Sequence, residues 1–64
     1  MLDRLSNDIL DYISRNENCR LSHITNKMMR TSGKSISYVK STLNKLVEAE
    51  LIRVENKLYS IRNK

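Results

Sequence analysis

The chain has 64 residues, of which 12 are lysine or arginine and 7 are aspartate or glutamate, giving a net charge of +5. This length fits one small domain, residues 1–64, and the single Cys19 excludes an internal disulfide. No run approaches the ~20 apolar residues of a membrane helix, and no signal peptide is recognisable. We therefore expect a soluble, cytoplasmic protein with no membrane partner.

The first segment carries an apolar stripe with the period of an α-helix. Its members recur at spacings of three and four residues, which predicts a helix over about Asp3–Asn16 with a polar outer face. The stripe consists of Leu2, Leu5, Ile9, Tyr12 and Ile13. Leu10 lies off this stripe and could seed a contact with a second copy of the chain.

A second, shorter helix is predicted after a link of three extended residues, 19–21. The helix covers about Ser22–Arg30, with its first residue as the N-cap and with Ile24 and Met28 as an apolar pair one turn apart. Gly33 is the only glycine of the chain, and its freedom to adopt a left-handed conformation predicts a turn after this helix.

Ser35 is expected to cap a third helix that runs to about Glu50. Its apolar side consists of Ile36, Val39, Leu43, Leu46 and Val47. Its opposite side consists of Ser37, Tyr38, Ser41, Lys45 and Glu48, with Lys40, Thr42 and Asn44 on the flanks. This outer side is rich in hydrogen-bonding groups and has no acidic residue before Glu48.

The last segment changes to the alternating period of β-strands. Short strands are predicted over Ile52–Val54 and Leu58–Ile61, separated by the turn-like residues 55–57. Alternation puts Ile52 and Val54 together on the inner side of the first strand. Because so small a hairpin is not stable alone, we expect it to pack on the helices.

The positive charge is concentrated in the middle of the chain. Residues 1–26 hold three basic and four acidic residues, and residues 48–64 hold four and three. Residues 27–47 hold five basic residues and no acidic one, namely Lys27, Arg30, Lys34, Lys40 and Lys45. This segment favours a polyanionic partner over a merely solubilising surface, in which acidic residues would be interspersed.

The order of helix, extended link, helix, turn, helix and hairpin is that of a winged helix-turn-helix domain. Residues 35–52, S-I-S-Y-V-K-S-T-L-N-K-L-V-E-A-E-L-I, resemble the pattern S-x-S-x-V-x-x-x-L-x-x-L-x-x-x-G-L-I of arsenic-sensing and multiple-antibiotic-resistance repressors. Residues 9–13 resemble the I-L-x-x-I of their first helix, so the resemblance covers about Leu5–Arg62. It implies a mainly α fold with three helices and a short two-stranded wing.

Two features depart from that pattern. Glu50 stands where the family has glycine, which affects the turn into the first strand of the wing. The linker Arg30–Lys34 is two or three residues longer than the family's tight turn, which predicts a different pose of the second and third helices.

The resemblance implies double-stranded DNA as the partner, with the third helix in the major groove. Base edges are expected to be contacted by Ser37, Tyr38 and Ser41, and the capping Ser35 is also expected among the DNA-binding residues. Lys45 is expected at a phosphate or a guanine edge, and Thr42 at a phosphate or a thymine methyl group. The residues expected to neutralise phosphates are Lys27, Arg30, Lys34 and Lys40, and those of the wing are Arg53 and Lys57.

A small transcriptional regulator is the simplest role for such a domain, and other roles stay open. The same residues would serve an architectural protein that bends DNA, such as an excisionase or a nucleoid protein. A protein-interaction module would need a strongly acidic partner, and RNA is less favoured because aromatic stacking platforms are few. A homodimer through the first helix or the wing is a further open alternative.

Enzymatic, metal and cofactor chemistry is not expected. Cys19 and His23 lie four residues apart but have no third ligand nearby in the sequence and no evident pocket for nucleophilic catalysis. No glycine-rich loop suits a nucleotide. The many Asn, Lys, Ile and Ser residues suggest an AT-rich genome, which together with the small size favours a virus or plasmid as the source.

Overall fold

The computed structural model describes residues 3–62, which form three helices and one antiparallel sheet. The helices are α1 (Arg4–Arg15), α2 (Leu21–Ser32) and α3 (Ile36–Glu48), and the strands are β1 (Cys19–Arg20), β2 (Ile52–Glu55) and β3 (Leu58–Ile61). The predicted mainly α, winged-helix-like fold is confirmed. None of the helices in this part of the chain is long and apolar enough to cross a bilayer.

Helix α1 begins at a carboxylate cap. The Asp3 side chain accepts a hydrogen bond from the Ser6 backbone N–H at 2.8 Å, which lowers the pKa of the Asp3 carboxyl. The helix buries Leu5, Ile9 and Ile13 against the other elements, as the stripe predicts. Leu2, the first residue of that stripe, lies outside the described residues.

Helix α2 is longer than the sequence predicted at both ends. It begins at Leu21 rather than Ser22, after an Arg20 N-cap whose side chain makes no capping hydrogen bond. It continues to Ser32 and ends at Gly33, whose φ of 73° is left-handed and whose N–H bonds the Met29 carbonyl. Residues 30–32 thereby belong to the helix, and the expectation of a long linker over Arg30–Lys34 is wrong, because residues 33–35 alone separate α2 from α3.

Helix α3 starts at the predicted cap. The Ser35 hydroxyl accepts a hydrogen bond from the Tyr38 backbone N–H at 3.3 Å. Val39 is fully buried, but Ile36, expected on the same stripe, is 44 % exposed. The core covers this helix from Val39 onward, which leaves its first three residues, 36–38, outside the core.

The end of α3 shows the backbone conformation at Glu50, where the repressor pattern has glycine. The Leu51 N–H bonds the Leu46 carbonyl and the Glu50 N–H bonds the Val47 carbonyl, both at 3.0 Å, which is the pattern of a Schellman motif. Glu50 is the left-handed residue of this motif, with φ 63°, where glycine would be free of strain. Its carboxylate lies 3.8 Å from the Arg62 guanidinium.

The hairpin closes through two residues rather than the predicted three. Asn56 and Lys57 both have positive φ, 54° and 65°, which is the signature of a type I′ turn. Glu55 therefore extends β2 and pairs with Leu58 across the turn. Val54, expected on the inner side, is 44 % exposed because it lies beyond the part of the sheet that the helices cover.

The sheet contains a third strand that the sequence did not predict. The link at Cys19 and Arg20 pairs with β3, with Cys19 opposite Tyr59 and Arg20 opposite Leu58, so the strand order is β1-β3-β2. A two-residue strand is too short to display an alternating pattern. Its pairing ties the hairpin to the start of α2.

Candidate nucleic-acid interface

The outer face of α3 is built from residues one helical turn apart. Tyr38, Ser41 and Lys45 follow at spacings of three and four, so their side chains share one face, and all three are exposed. Ser37 and Lys40 flank them and are exposed as well. The predicted base-contacting group of Ser37, Tyr38 and Ser41 therefore lies on a single accessible surface of the helix.

The start of this face is organised by a contact between the turn and the helix. The Lys34 ammonium lies over the Tyr38 ring, 5.2 Å from its centroid. The hydroxyl of Ser35 between them accepts the capping hydrogen bond, so its role in the fold is to begin α3. Lys34 and Tyr38 together form an exposed pair of a cation and an aromatic ring at the front of the helix.

Thr42 does not belong to this exposed face, which corrects the expectation of a contact with phosphate or thymine. Its side chain is buried, with 8 % of the residue exposed. Its hydroxyl donates to the Tyr38 carbonyl at 3.0 Å. Thr42 lies three residues after Val39 and four before Leu46, both core residues, so the same helical spacing that exposes Ser41 turns Thr42 inward.

The two basic residues of α2 have different surroundings. Lys27 lines a groove of about 490 Å³ between α1 and α2, whose other wall carries Asp8 and Asp11. Each of these carboxylates is paired with an arginine of α1 that lines the same groove, so the surroundings of Lys27 are not acidic overall. Arg30 is exposed in the last turn of α2, close in sequence to the turn that carries Lys34.

The wing presents one ion-paired and one terminal cation. The Arg53 guanidinium lies 3.3 Å from the Glu55 carboxylate, and both groups are exposed, so Arg53 is partly neutralised within its own strand. Lys57 occupies the tip of the hairpin and, with Arg20 and Asn56, lines a hollow of about 400 Å³. Arg20 was not predicted as a site residue because its position beside the wing depends on the unforeseen pairing of β1.

The basic residues of the middle segment form no ion pair within residues 3–62. Four ion pairs form among residues 3–62, and each uses an arginine outside residues 27–47: Arg4 with Asp8, Arg15 with Asp11, Arg53 with Glu55 and Arg62 with Glu50. The five basic residues of the middle segment take part in none of these pairs. Their charge is therefore available to an external anion, apart from the influence of the Asp3 carboxylate on Lys45.

Cys19 and His23, the pair considered above as metal ligands or as a catalytic dyad, have different surroundings. In the described part of the chain, no three His, Cys, Asp or Glu side chains are grouped so that they could hold a metal ion. The Cys19 thiol is buried, donates weakly to the Tyr59 carbonyl at 3.7 Å, and has its pKa raised by desolvation. His23 is exposed.

Comparisons of the chain with protein-family models, with curated proteins and with solved structures found no match.

Proposed function

We propose that this chain binds double-stranded DNA as a small intracellular transcriptional regulator, with α3 in the major groove. The observation that carries the proposal is the outer face of α3, on which Tyr38, Ser41 and Lys45 are exposed within a segment of five cations and no acid. The major groove is about 12 Å wide and accepts one α-helix. A helix whose first three residues stand outside the core suits this kind of insertion.

The side chains divide into two kinds of contact. The hydroxyl groups of Ser37, Tyr38 and Ser41 can donate and accept hydrogen bonds at base edges, which read sequence. Lys34 and Lys40 can neutralise phosphates on either side of the helix, which sets register without reading sequence. Lys45, Arg30 and the wing residues Arg53 and Lys57 would extend the phosphate contacts. The resemblance of residues 35–52 to winged helix-turn-helix repressors supports the same arrangement.

The direct test selects bound duplexes from a random pool and then measures affinity for the selected sequence at several salt concentrations. If four to six phosphates are neutralised, log K should fall with log[salt] with a slope of roughly −3.6 to −5.4, at about −0.9 per phosphate. The absence of any salt dependence, or of binding to any duplex at low salt, would overturn the proposal.

A pair of serine substitutions localises the interface. Ser41→Glu puts a carboxylate on the outer face of α3 and should reduce DNA affinity at least about 100-fold, because it repels phosphate and removes a polar contact. Ser14→Glu makes the same charge change at an exposed position of α1 and should reduce affinity only slightly. Equal losses from the two variants would assign binding to net charge rather than to α3.

A further inference from the structure

The outer edge of β2 is an unpaired sheet edge with an exposed apolar residue. In the order β1-β3-β2, strand β2 pairs only with β3 among the described strands, and no described helix or strand pairs with its other side. Val54, near the centre of β2, is 44 % exposed. Unpaired edges of this kind are templates for adding a further strand.

The backbone groups of Val54 point towards this edge. Glu55 and Leu58 flank a two-residue turn, so they are the hydrogen-bonded pair next to it. Hydrogen-bonded and non-hydrogen-bonded pairs alternate along antiparallel strands. Val54 and Tyr59 are thus a non-hydrogen-bonded pair, and the N–H and C=O of Val54 face away from β3.

The side chains around Val54 are complementary to their own two-fold image. When two copies of β2 run antiparallel with Val54 opposite Val54, each Arg53 stands opposite the Glu55 of the other copy. Such a pair flanks a hydrogen-bonded one, so its side chains are at the closer of the two cross-strand spacings. Together with the existing Arg53–Glu55 contact at 3.3 Å, the four groups would alternate in sign around a square.

We propose that a second copy of this chain pairs with β2 in this register, joining two three-stranded sheets into one six-stranded sheet. Charged residues on an edge strand ordinarily prevent pairing, but charges of opposite sign at symmetric positions favour it in one register. Four-residue strands bury far less than the roughly 1,600 Å² of a standard interface. The dimer is therefore weak and forms at high protein concentration.

A charge exchange tests the register. Sedimentation velocity without DNA, from about 10 μM to 1 mM protein, covers the affinity range of a weak dimer. Arg53→Glu puts four carboxylates around the two-fold axis and Glu55→Arg puts four cations there, so each should raise the dissociation constant at least about tenfold. The double variant Arg53→Glu/Glu55→Arg restores opposite charges and should return the constant to within about threefold of the unsubstituted chain.

Two further variants separate edge pairing from other causes. Arg15→Glu makes the same charge change as Arg53→Glu on α1, where it should not affect dimerisation. Val54→Pro removes the N–H that faces the free edge while leaving the ladder with β3 its donors, and it should abolish the dimer. Circular dichroism checks that each variant is folded.

Several outcomes would overturn the proposal. They are a chain that stays monomeric at 1 mM, single variants that dimerise normally, and a double variant that stays monomeric. Because dimerisation is measured in the absence of DNA, these results leave the DNA-binding proposal to its own test.

Discussion

The Lys34 ammonium lies 5.2 Å from the centroid of the Tyr38 ring, across the serine that caps α3. At an exposed site such a cation–π contact contributes about 0.5–1 kcal/mol. It restrains the ring over the first turn of the helix and keeps the ammonium beside it. The Tyr38 phenol is thus held at the start of the outer face of α3 in the absence of a ligand.

Replacing Tyr38 with phenylalanine separates the ring from its hydroxyl. Tyr38→Phe keeps the contact with Lys34 and removes the hydrogen-bonding group, so it should weaken binding to the selected duplex about fivefold, equivalent to about 1 kcal/mol, and leave a scrambled duplex unaffected. Tyr12→Phe on α1 is the matched control. Competition binding with both duplexes is the measurement, and unchanged preference in Tyr38→Phe would leave Tyr38 only its packing role.

Lys40 is expected to act on all DNA sequences alike. Lys40→Gln removes one phosphate contact and should reduce the magnitude of the salt slope by about 0.9 for selected and scrambled duplexes. Affinity titrations at four or more salt concentrations give the slope. A loss confined to the selected duplex would instead assign Lys40 to base reading.

The neighbouring residues Ser41 and Thr42 should respond differently to substitution. Thr42 is buried and donates to the Tyr38 carbonyl, so Thr42→Val should change the free energy of unfolding by no more than about 1 kcal/mol and leave DNA affinity within about twofold. Ser41→Ala alters the exposed face and should relax sequence preference. If Thr42→Val impaired binding as strongly as Ser41→Ala, the inward position of Thr42 would be refuted.

Lys57 at the tip of the wing adds a positive charge but has a backbone conformation that lowers stability. Lys57 has φ 65°, a conformation that disfavours residues with a β-carbon, so Lys57→Gly should stabilise the fold by about 0.5–1 kcal/mol in denaturant unfolding. The same variant should weaken DNA binding, because it removes a cation from the wing. Asn56→Gly is the control, since asparagine tolerates positive φ and carries no charge. A Lys57→Gly variant that gains stability without losing affinity would exclude the tip from the interface.

Because the Cys19 thiol is buried, we expect the free energy of unfolding to fall in mild alkali. Burial raises the pKa of this thiol above its ordinary value of 9.0, so the folded chain keeps the proton that the unfolded chain releases. The stabilisation is complete below the unfolded pKa and is lost as pH rises towards the folded pKa. Unfolding free energy should therefore fall from about pH 8.5 upward, and the fall should be smaller in Cys19→Ala. Parallel pH profiles for the two chains would contradict this.

The local signals of the sequence were sufficient for the order of the helices and for the two strands of the hairpin, but not for the ends of α2 or the length of the hairpin turn. The burial of Leu5, Ile9 and Ile13, the cap at Ser35 and the left-handed Gly33 each depend on neighbours within a turn or two, and each is found as predicted. The exposure of Ser37, Tyr38 and Ser41 follows from the same periodicity. These features are fixed by interactions between residues close in the chain.

Features that depend on distant residues were not predictable in the same way. The pairing of Cys19 with Tyr59 joins residues 40 apart, and the residues next to Cys19 in the sequence give no signal for it. The exposure of Ile36 and Val54 depends on how far the core reaches, which periodicity does not measure. The burial of Thr42 is tolerated because its hydroxyl bonds the Tyr38 carbonyl within the helix, which composition alone does not reveal.

Strand β1 ties the hairpin to the helical part of the fold. It pairs β3 with the residue before α2. Strand β3 also packs on α1, and β2 begins after a turn of three residues at the end of α3. The distance between the wing tip and the outer face of α3 is therefore set by the packing of the fold. A duplex that is to meet both at once must supply the matching curvature itself, so sequences that bend easily should be favoured even at base pairs that no side chain touches.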